Sequence, residues 1–147
     1  MEALHSRGFP TPVPISQNRH LIVMSKIAGF PLYQYHPSRG DDNGESEMIT
    51  KRMYNECITI LRRLFTCGLI HCDFNEFNLL VTSDEAKVIL IDFPQMVSIE
   101  HENAEDLFKR DCYSILKFFT QKLKMPIDGD VDIPSFMSWY SEKSVDD

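Results

Sequence analysis

Apolar residues recur in short runs early in this chain and at helical intervals further on, and the two periods predict different elements. His20-Leu21-Ile22-Val23-Met24 is a short apolar run with β-branched members, read as a buried strand, and Ala28-Gly29-Phe30-Pro31 closes it with turn chemistry. Ile49, Met53, Cys57, Leu61 and Leu64 recur every three or four positions, with Lys51, Arg52, Arg62 and Arg63 off that stripe. Gly68 stands where a C-terminal cap is wanted, so the spacing predicts one amphipathic helix over about 46–67. Leu79-Leu80-Val81 and Val88-Ile89-Leu90-Ile91 flank the polar turn 82–87 and predict a hairpin. Asn103 can cap a last helix over about 104–124, whose broad face holds Leu107, Asp111, Ile115, Phe118 or Phe119, and Leu123.

The stretches between these elements lack periodicity. Phe9-Pro10-Thr11-Pro12-Val13-Pro14 cannot be helix, because its prolines remove donors and force their predecessors into extended geometry. Residues 38–46 are polar and glycine-containing and read as a surface loop. After Met125, Pro126, Gly129 and Pro134 among several aspartates predict another loop, then a short amphipathic turn around 136–140. No internal repeat and no second domain is visible. The expectation is one α+β unit, mainly helical, with a short hairpin.

Composition narrows the function classes. At 147 residues, with 43% hydrophobic and 25% charged, the chain suits one globular domain. Its net charge of −7 argues against a nucleic-acid footprint over the whole chain, although Lys51, Arg52, Arg62 and Arg63 could form a local basic face. Cys57, Cys67, Cys72 and Cys112 form no Cys-x-x-Cys pair and are expected to be reduced thiols of an intracellular protein. Neither a secretion signal nor an apolar run of about 18 residues suggests a membrane partner.

The candidate chemistry lies in two strings. His71-Cys72-Asp73-Phe74-Asn75-Glu76-Phe77-Asn78 is followed by Ile91-Asp92-Phe93-Pro94, which places two carboxylates and a carboxamide at the spacing of a phosphoryl-transfer loop and a metal aspartate. Transfer of a γ-phosphate asks the protein for a carboxylate that orients the attacking oxygen and for oxygen ligands to Mg2+. Asp73 suits the first task as base or orienter. Asn78 offers a neutral amide oxygen and Asp92 an anionic one. The bland alternative is a set of turn and strand-end residues, and the combined spacing argues against it. His71 would brace the loop, or be a plain core histidine. Asp111, a carboxylate on an apolar helix face, must be satisfied, either by accepting backbone N–H groups of the catalytic loop or by an exposed ion pair. The linker from Met24 through Ser25 to Ile27 can offer backbone C=O and N–H groups to an adenine edge.

Three strings together resemble the RIO family of atypical serine/threonine protein kinases, specifically the Rio-two branch: His-Cys-Asp-Phe-Asn-Glu-Phe-Asn-Leu-Leu at 71–80, Ile-Asp-Phe-Pro-Gln-Met-Val-Ser at 91–98, and Asn-Ala-Glu with a later Arg-Asp within 103–111. The resemblance covers nearly the whole chain. It implies a kinase-like C-lobe with a hinge strand, Asp73 as catalytic aspartate, Asn78 and Asp92 as Mg2+ ligands, and adenine of ATP held by backbone near Ser25 and Ile27. It also implies an ATPase that carries a transient phosphate on Asp92 and acts in maturation of the small (40S) ribosomal subunit, with the pre-40S particle as partner, in the cytoplasm and also the nucleus. Residues 1–37 would be the end of an N-lobe and the hinge, 38–47 a flexible loop (39–47 a family-variable insert), and 48–147 the C-lobe. Asp92-Phe93-Pro94 departs from the Asp-Phe-Gly of ordinary kinases, and Asn75 stands where those place a lysine. Nothing before Phe9 reads as a glycine-rich phosphate loop or a lysine strand, so the N-lobe and winged helix are expected to be missing, with weak nucleotide binding and little turnover by this chain alone. Two other readings remain open: a small-molecule phosphotransferase of the aminoglycoside or choline kinase type, and a non-catalytic binding module.

Overall fold

The structure, a computed structural model, describes residues 1–17, 22–37, 44–83, 87–93, 95–129 and 131–146. A short helix α1 (Glu2–Ser6) precedes the extended proline segment, in which Phe9 and Thr11 are buried. Strands β1 (Pro14–Gln17) and β2 (Ile22–Met24) form an antiparallel ladder, with Pro14 opposite Met24. The strand expected over 20–24 is thus present at Ile22–Met24, while His20 and Leu21 lie outside the described residues. Burial of this run is not met at Met24, which is 39% exposed, because a two-stranded ladder leaves a face without packing.

A second sheet positions the chemistry. Its order is β3 (Gly29–Pro31), β5 (Leu79–Thr82), β6 (Val88–Leu90), all antiparallel. The hairpin of β5 and β6 follows the apolar pattern, with Leu79 opposite Leu90 and Val81 opposite Val88, all four buried. Strand β3 was expected to be a turn. Gly29 lets it pair instead: a Cβ there would sit 2.1 Å from the Val81 carbonyl oxygen, so only glycine allows this backbone approach. Pro31 is tolerated because β3 is an edge strand. Beyond β6, the Leu90 N–H donates to the Pro10 carbonyl at 2.8 Å, fastening the proline segment to the sheet.

The long helix α2 (Glu45–Thr66) matches the predicted span within a residue at each end. It buries Met53, Cys57, Leu61 and Leu64 as the stripe requires, and Tyr54, Ile58 and Phe65 beside them. It begins at Glu45, so the loop expected over 38–47 is shorter than expected; residues 38–43 lie outside the described residues. Gly68, at φ +83°, ends the helix as anticipated. A two-residue ladder then pairs β4 (Leu69–Ile70) with β7 (Val97–Ser98).

Helix α3 (Ala104–Lys117) continues into a π-helical turn, Phe118–Lys122. The Thr120 hydroxyl donates to the Leu116 carbonyl at 2.7 Å, and the widened turn puts both Phe118 and Phe119 in the core. Asn103 sits at the N-cap position, but its side chain makes no capping bond. The segment expected to form a short turn near 136–140 is a full helix, α4 (Phe136–Asp146), whose Phe136 and Trp139 pack edge-on against Phe65 of α2.

Candidate active site

Two ladders bring the predicted residues together. The chain passes from β4 into residues 71–78, through the β5–β6 hairpin, and returns by residues 91–96 into β7. Because β4 pairs with β7 and β5 with β6, both loops are pinned at each end. The Ile91 N–H donates to the Asn78 carbonyl at 3.2 Å, extending the hairpin by one bond and setting Asn78 beside the residue preceding Asp92.

Asp73 is half-buried and its carboxylate is held on both oxygens. Oδ1 accepts from Asn75 Nδ2 and Oδ2 from Asn78 Nδ2, each at 2.9 Å. Asn78 Nδ2 also donates to the Asp73 carbonyl at 2.8 Å. Asn75 in turn accepts the Phe77 N–H on its own Oδ1 at 2.9 Å, an Asx turn that fixes its amide. The carboxylate is therefore aimed by two carboxamides, and sequence reading found only one of them as a site residue. Asn75 carried a signal, being an Asx residue two positions before a backbone N–H, but nothing in the string showed that its amide would face Asp73.

His71, 2% exposed, joins the two loops. Its Nδ1 accepts the Asp73 N–H at 3.1 Å, which assigns the ring proton to Nε2, where it donates to the Asp92 carbonyl oxygen. The imidazole is a brace between backbones, turned edge-on to Phe74.

Asp111 is likewise 2% exposed and accepts two loop N–H groups, from Cys72 at 2.9 Å and Phe74 at 3.2 Å. Burial pushes its carboxyl above the usual aspartate range, against the pull of those two bonds. Its neighbour Arg110 donates to the Cys72 carbonyl at 2.6 Å. Adjacent side chains of α3 thus clamp both peptide groups of Cys72 and hold it at φ +74°, a left-handed conformation a side-chain-bearing residue rarely adopts. Burial and the Asp111 charge raise the Cys72 thiol pKa, so it stays protonated. Arg110 was not anticipated: a solvent-facing helical arginine beside a buried position has no sequence signature for the carbonyl it will find.

The arrangement suits a hard divalent cation. Asn78 spends its amide hydrogens on Asp73, leaving Oδ1 without a partner among the described residues, and the half-buried Asp92 carboxylate likewise accepts no bond from them. Among the described residues no three His, Cys, Asp or Glu side chains gather as a metal centre. A neutral oxygen and one carboxylate fit Mg2+, which keeps its waters and takes further oxygens from phosphates, better than they fit Zn2+ or Ca2+. A cleft of about 470 Å3 opens over Asp73 and Asn75, walled by Gln95, Arg110 and Ser114.

The adenine-edge candidates lie elsewhere on the chain. Met24 ends β2, and the Ser25 N–H and hydroxyl are both committed to Val13, donating to its carbonyl at 2.8 Å and accepting its N–H at 2.7 Å. The Ser25 carbonyl and the Ile27 N–H have no partner among the described residues. This segment reaches the loops through β3 and through the Ser83 N–H, which donates to the Ala28 carbonyl at 3.0 Å.

The RIO domain model matches residues 1–131. The chain is 45% identical over 126 residues to the serine/threonine-protein kinase rio2 of Dictyostelium discoideum, covering 83% of this chain and 22% of that protein. It is 35% identical over 129 residues to serine/threonine-protein kinase RIO2 of Saccharomyces cerevisiae, covering 84% and 28% respectively. The chain therefore spans less than a third of the length of either relative. Among solved structures it resembles the Rio2 kinase–ADP/Mg2+–phosphoaspartate complex from Chaetomium thermophilum, with TM-score 0.77 and 36% identity over 95% of this chain and 41% of that one. The fold is that of a protein-kinase-like α+β domain.

Proposed function

We propose, from the premise that this chain belongs to the RIO family in its Rio2 branch, that its two pinned loops bind Mg-ATP and transfer or hydrolyse the γ-phosphate as a serine/threonine kinase or ATPase. The observation that carries this reading is the double amide grip on Asp73, beside a carboxamide oxygen and a carboxylate left free for a cation. The division into an N-lobe end with hinge over 1–37, a connecting loop, and a C-lobe from about 48 onward belongs to the same proposal.

Asp73 would accept a hydrogen bond from the attacking hydroxyl or water and aim its oxygen at phosphorus. Asn75 and Asn78 keep that carboxylate from rotating away. Mg2+, when bound by Asn78 and Asp92, would supply charge neutralisation at the phosphate oxygens. The His71 bond to the Asp92 carbonyl sets where the Asp92 carboxylate can reach. The Ser25 carbonyl and Ile27 N–H would meet the amino hydrogen and the adjacent ring nitrogen along one edge of adenine.

The phosphoaspartate of the Chaetomium thermophilum complex supports a second role for Asp92. Its oxygen would bond to the γ-phosphorus as the bond to the β–γ bridging oxygen breaks and ADP departs; water oriented by Asp73 would then release phosphate. The biological setting we propose is maturation of the small ribosomal subunit, in the cytoplasm and the nucleus, with the pre-40S particle as partner. Incubation with Mg2+ and γ-labelled ATP tests the reading: the chain should acquire hydroxylamine-labile phosphate, which Asp92→Asn abolishes. Label that resists hydroxylamine and survives Asp92→Asn would refute the aspartyl step.

A further inference from the structure

Helix α3 turns a basic, aromatic face toward the catalytic loop. Arg110, Ser114, Lys117 and Gln121 recur at helical spacing on the side that lines two adjoining depressions. The first is the cleft over Asp73. The second, about 540 Å3, runs on from it along α3 and shares Asn75 and Ser114 as walls. Phe77 and Tyr113, each 61% exposed, stand in its walls with Lys117 and Lys122, and Glu76 is the one carboxylate among its lining residues. Lys117 lies 5.9 Å from the Tyr113 ring and Lys122 5.7 Å from the Phe118 ring.

Two features call for an occupant. Large aromatics on a catalytic-loop residue and on the facing helix expose apolar surface at the mouth of a reactive cleft. In the second depression Lys117 and Lys122 outnumber Glu76, a positive lining in a chain whose net charge is −7. From Arg110 to Lys122 the helix rises about 18 Å, the reach of about five or six extended residues. The Tyr33 N–H bond to the Glu76 carbonyl, 3.1 Å, and the Tyr33–Phe77 ring contact at 5.1 Å hold the far wall in place, so the groove is formed before anything enters it.

We propose that this groove docks an acidic polypeptide segment carrying an aromatic or other large apolar side chain, which leads a serine or threonine hydroxyl to Asp73. Carboxylates of the segment meet Arg110, Lys117 and Lys122 within about five residues of the acceptor, and its apolar side chain enters between Phe77 and Tyr113. Charge complementarity gives orientation and rate of encounter, and the aromatic walls give residence. A nucleic-acid strand fits less well, since few cations line the groove and Glu76 stands among them. The inference rests on the phosphoryl-transfer reading for its acceptor, and its test is binding, which needs no turnover.

Fluorescence anisotropy with the full chain measures this directly. The probes are a labelled peptide with one serine flanked by glutamates and a phenylalanine, its lysine-for-glutamate counterpart, and a single-stranded oligoribonucleotide of similar length. The acidic peptide should bind at least about tenfold more tightly than the basic one. Lys117→Glu with Lys122→Glu should reverse that preference, and Tyr113→Ala should weaken both charge forms by a similar factor. Lys117 and Lys122 are solvent-facing, so a circular dichroism spectrum equal to wild type accompanies the expected result. Equal affinity for the two peptides, no binding of either, tighter binding of the oligonucleotide, or a preference that survives the double reversal would each overturn the proposal. If instead docking holds while neither phosphate transfer nor ATP hydrolysis is found, the phosphoryl-transfer reading fails and the docking surface stands.

Discussion

The ring of His71 spans from the Asp73 N–H to the Asp92 carbonyl, so one neutral imidazole fixes the spacing between the catalytic-loop aspartate and the metal-site aspartate. Both contacts are to backbone, so the ring itself takes up neither carboxylate. His71→Ala would leave the half-buried Asp73 N–H and Asp92 carbonyl without this partner and open a cavity. A loss of about 3 kcal/mol of stability is expected, measurable by urea denaturation. A loss below about 1 kcal/mol would mean that the loops hold their spacing without the ring.

Asp111 offers a pH test with a defined sign. Burial raises its carboxyl pKa in the folded state. The folded chain therefore binds that proton more readily than the unfolded one. Its contribution is fully present below the unfolded aspartate pKa of about 3.9 and is lost as pH rises through the higher folded value. Asp111→Asn removes the titration and turns an amide NH2 toward one loop N–H, costing about 2 kcal/mol at neutral pH. The stability gap between wild type and Asp111→Asn should widen as the pH is lowered from about 7 toward about 4. A gap that narrows on acidification would contradict this.

Asn75 separates orientation from charge. Asn75→Asp keeps the acceptor for the Phe77 N–H but replaces the donor to Asp73 with a like charge. Turnover should fall about tenfold, because the second carboxylate repels the one that must face the acceptor. Asn75→Ala, which removes the donor without adding charge, should lower turnover by a smaller factor. Wild-type turnover in both variants would show that the amide bond to Asp73 does not govern the carboxylate.

The helices and the hairpin were legible because their apolar periods match their burial: Met53, Cys57, Leu61 and Leu64 on α2, and Leu79, Val81, Val88 and Leu90 on the strands. Asp111 could be singled out because a carboxylate on an apolar face demands a partner. Long-range backbone approaches were not legible. Strand β3 depends on the absence of a Cβ at Gly29 against the Val81 carbonyl, and Phe30-Pro31 alone reads as a turn. The π turn arises from two consecutive phenylalanines entering one core and from a hydroxyl taking a helical carbonyl, which no 3.6-residue period encodes.

Gly29→Ala tests that third strand. A methyl group 2.1 Å from a carbonyl oxygen must push β3 off β5, at a cost of about 3 kcal/mol. Amide exchange at Val81 and Thr82 should accelerate with it. Wild-type stability in Gly29→Ala would show that the β3–β5 approach is looser than this pairing.

The thiols should differ sharply in reactivity. Cys57 and Cys72 are buried with raised pKa values, and burial pushes the partly buried Cys112 up to about 12, whereas Cys67 is exposed. Ellman's reagent at neutral pH should titrate Cys67 first and reach the others only as the chain unfolds. Prompt labelling of Cys72 would mean that the catalytic loop opens readily.

The most direct test of the site is nuclear magnetic resonance with Mn2+–ADP, the paramagnetic cation standing in for Mg2+. Amide signals of Asn78, Leu79, Asp92 and Phe93 should broaden selectively, and Asp92→Ala should abolish the effect while the remaining spectrum is unchanged. Broadening centred elsewhere, or persisting undiminished in Asp92→Ala, would contradict a nucleotide-bound cation held between Asn78 and Asp92.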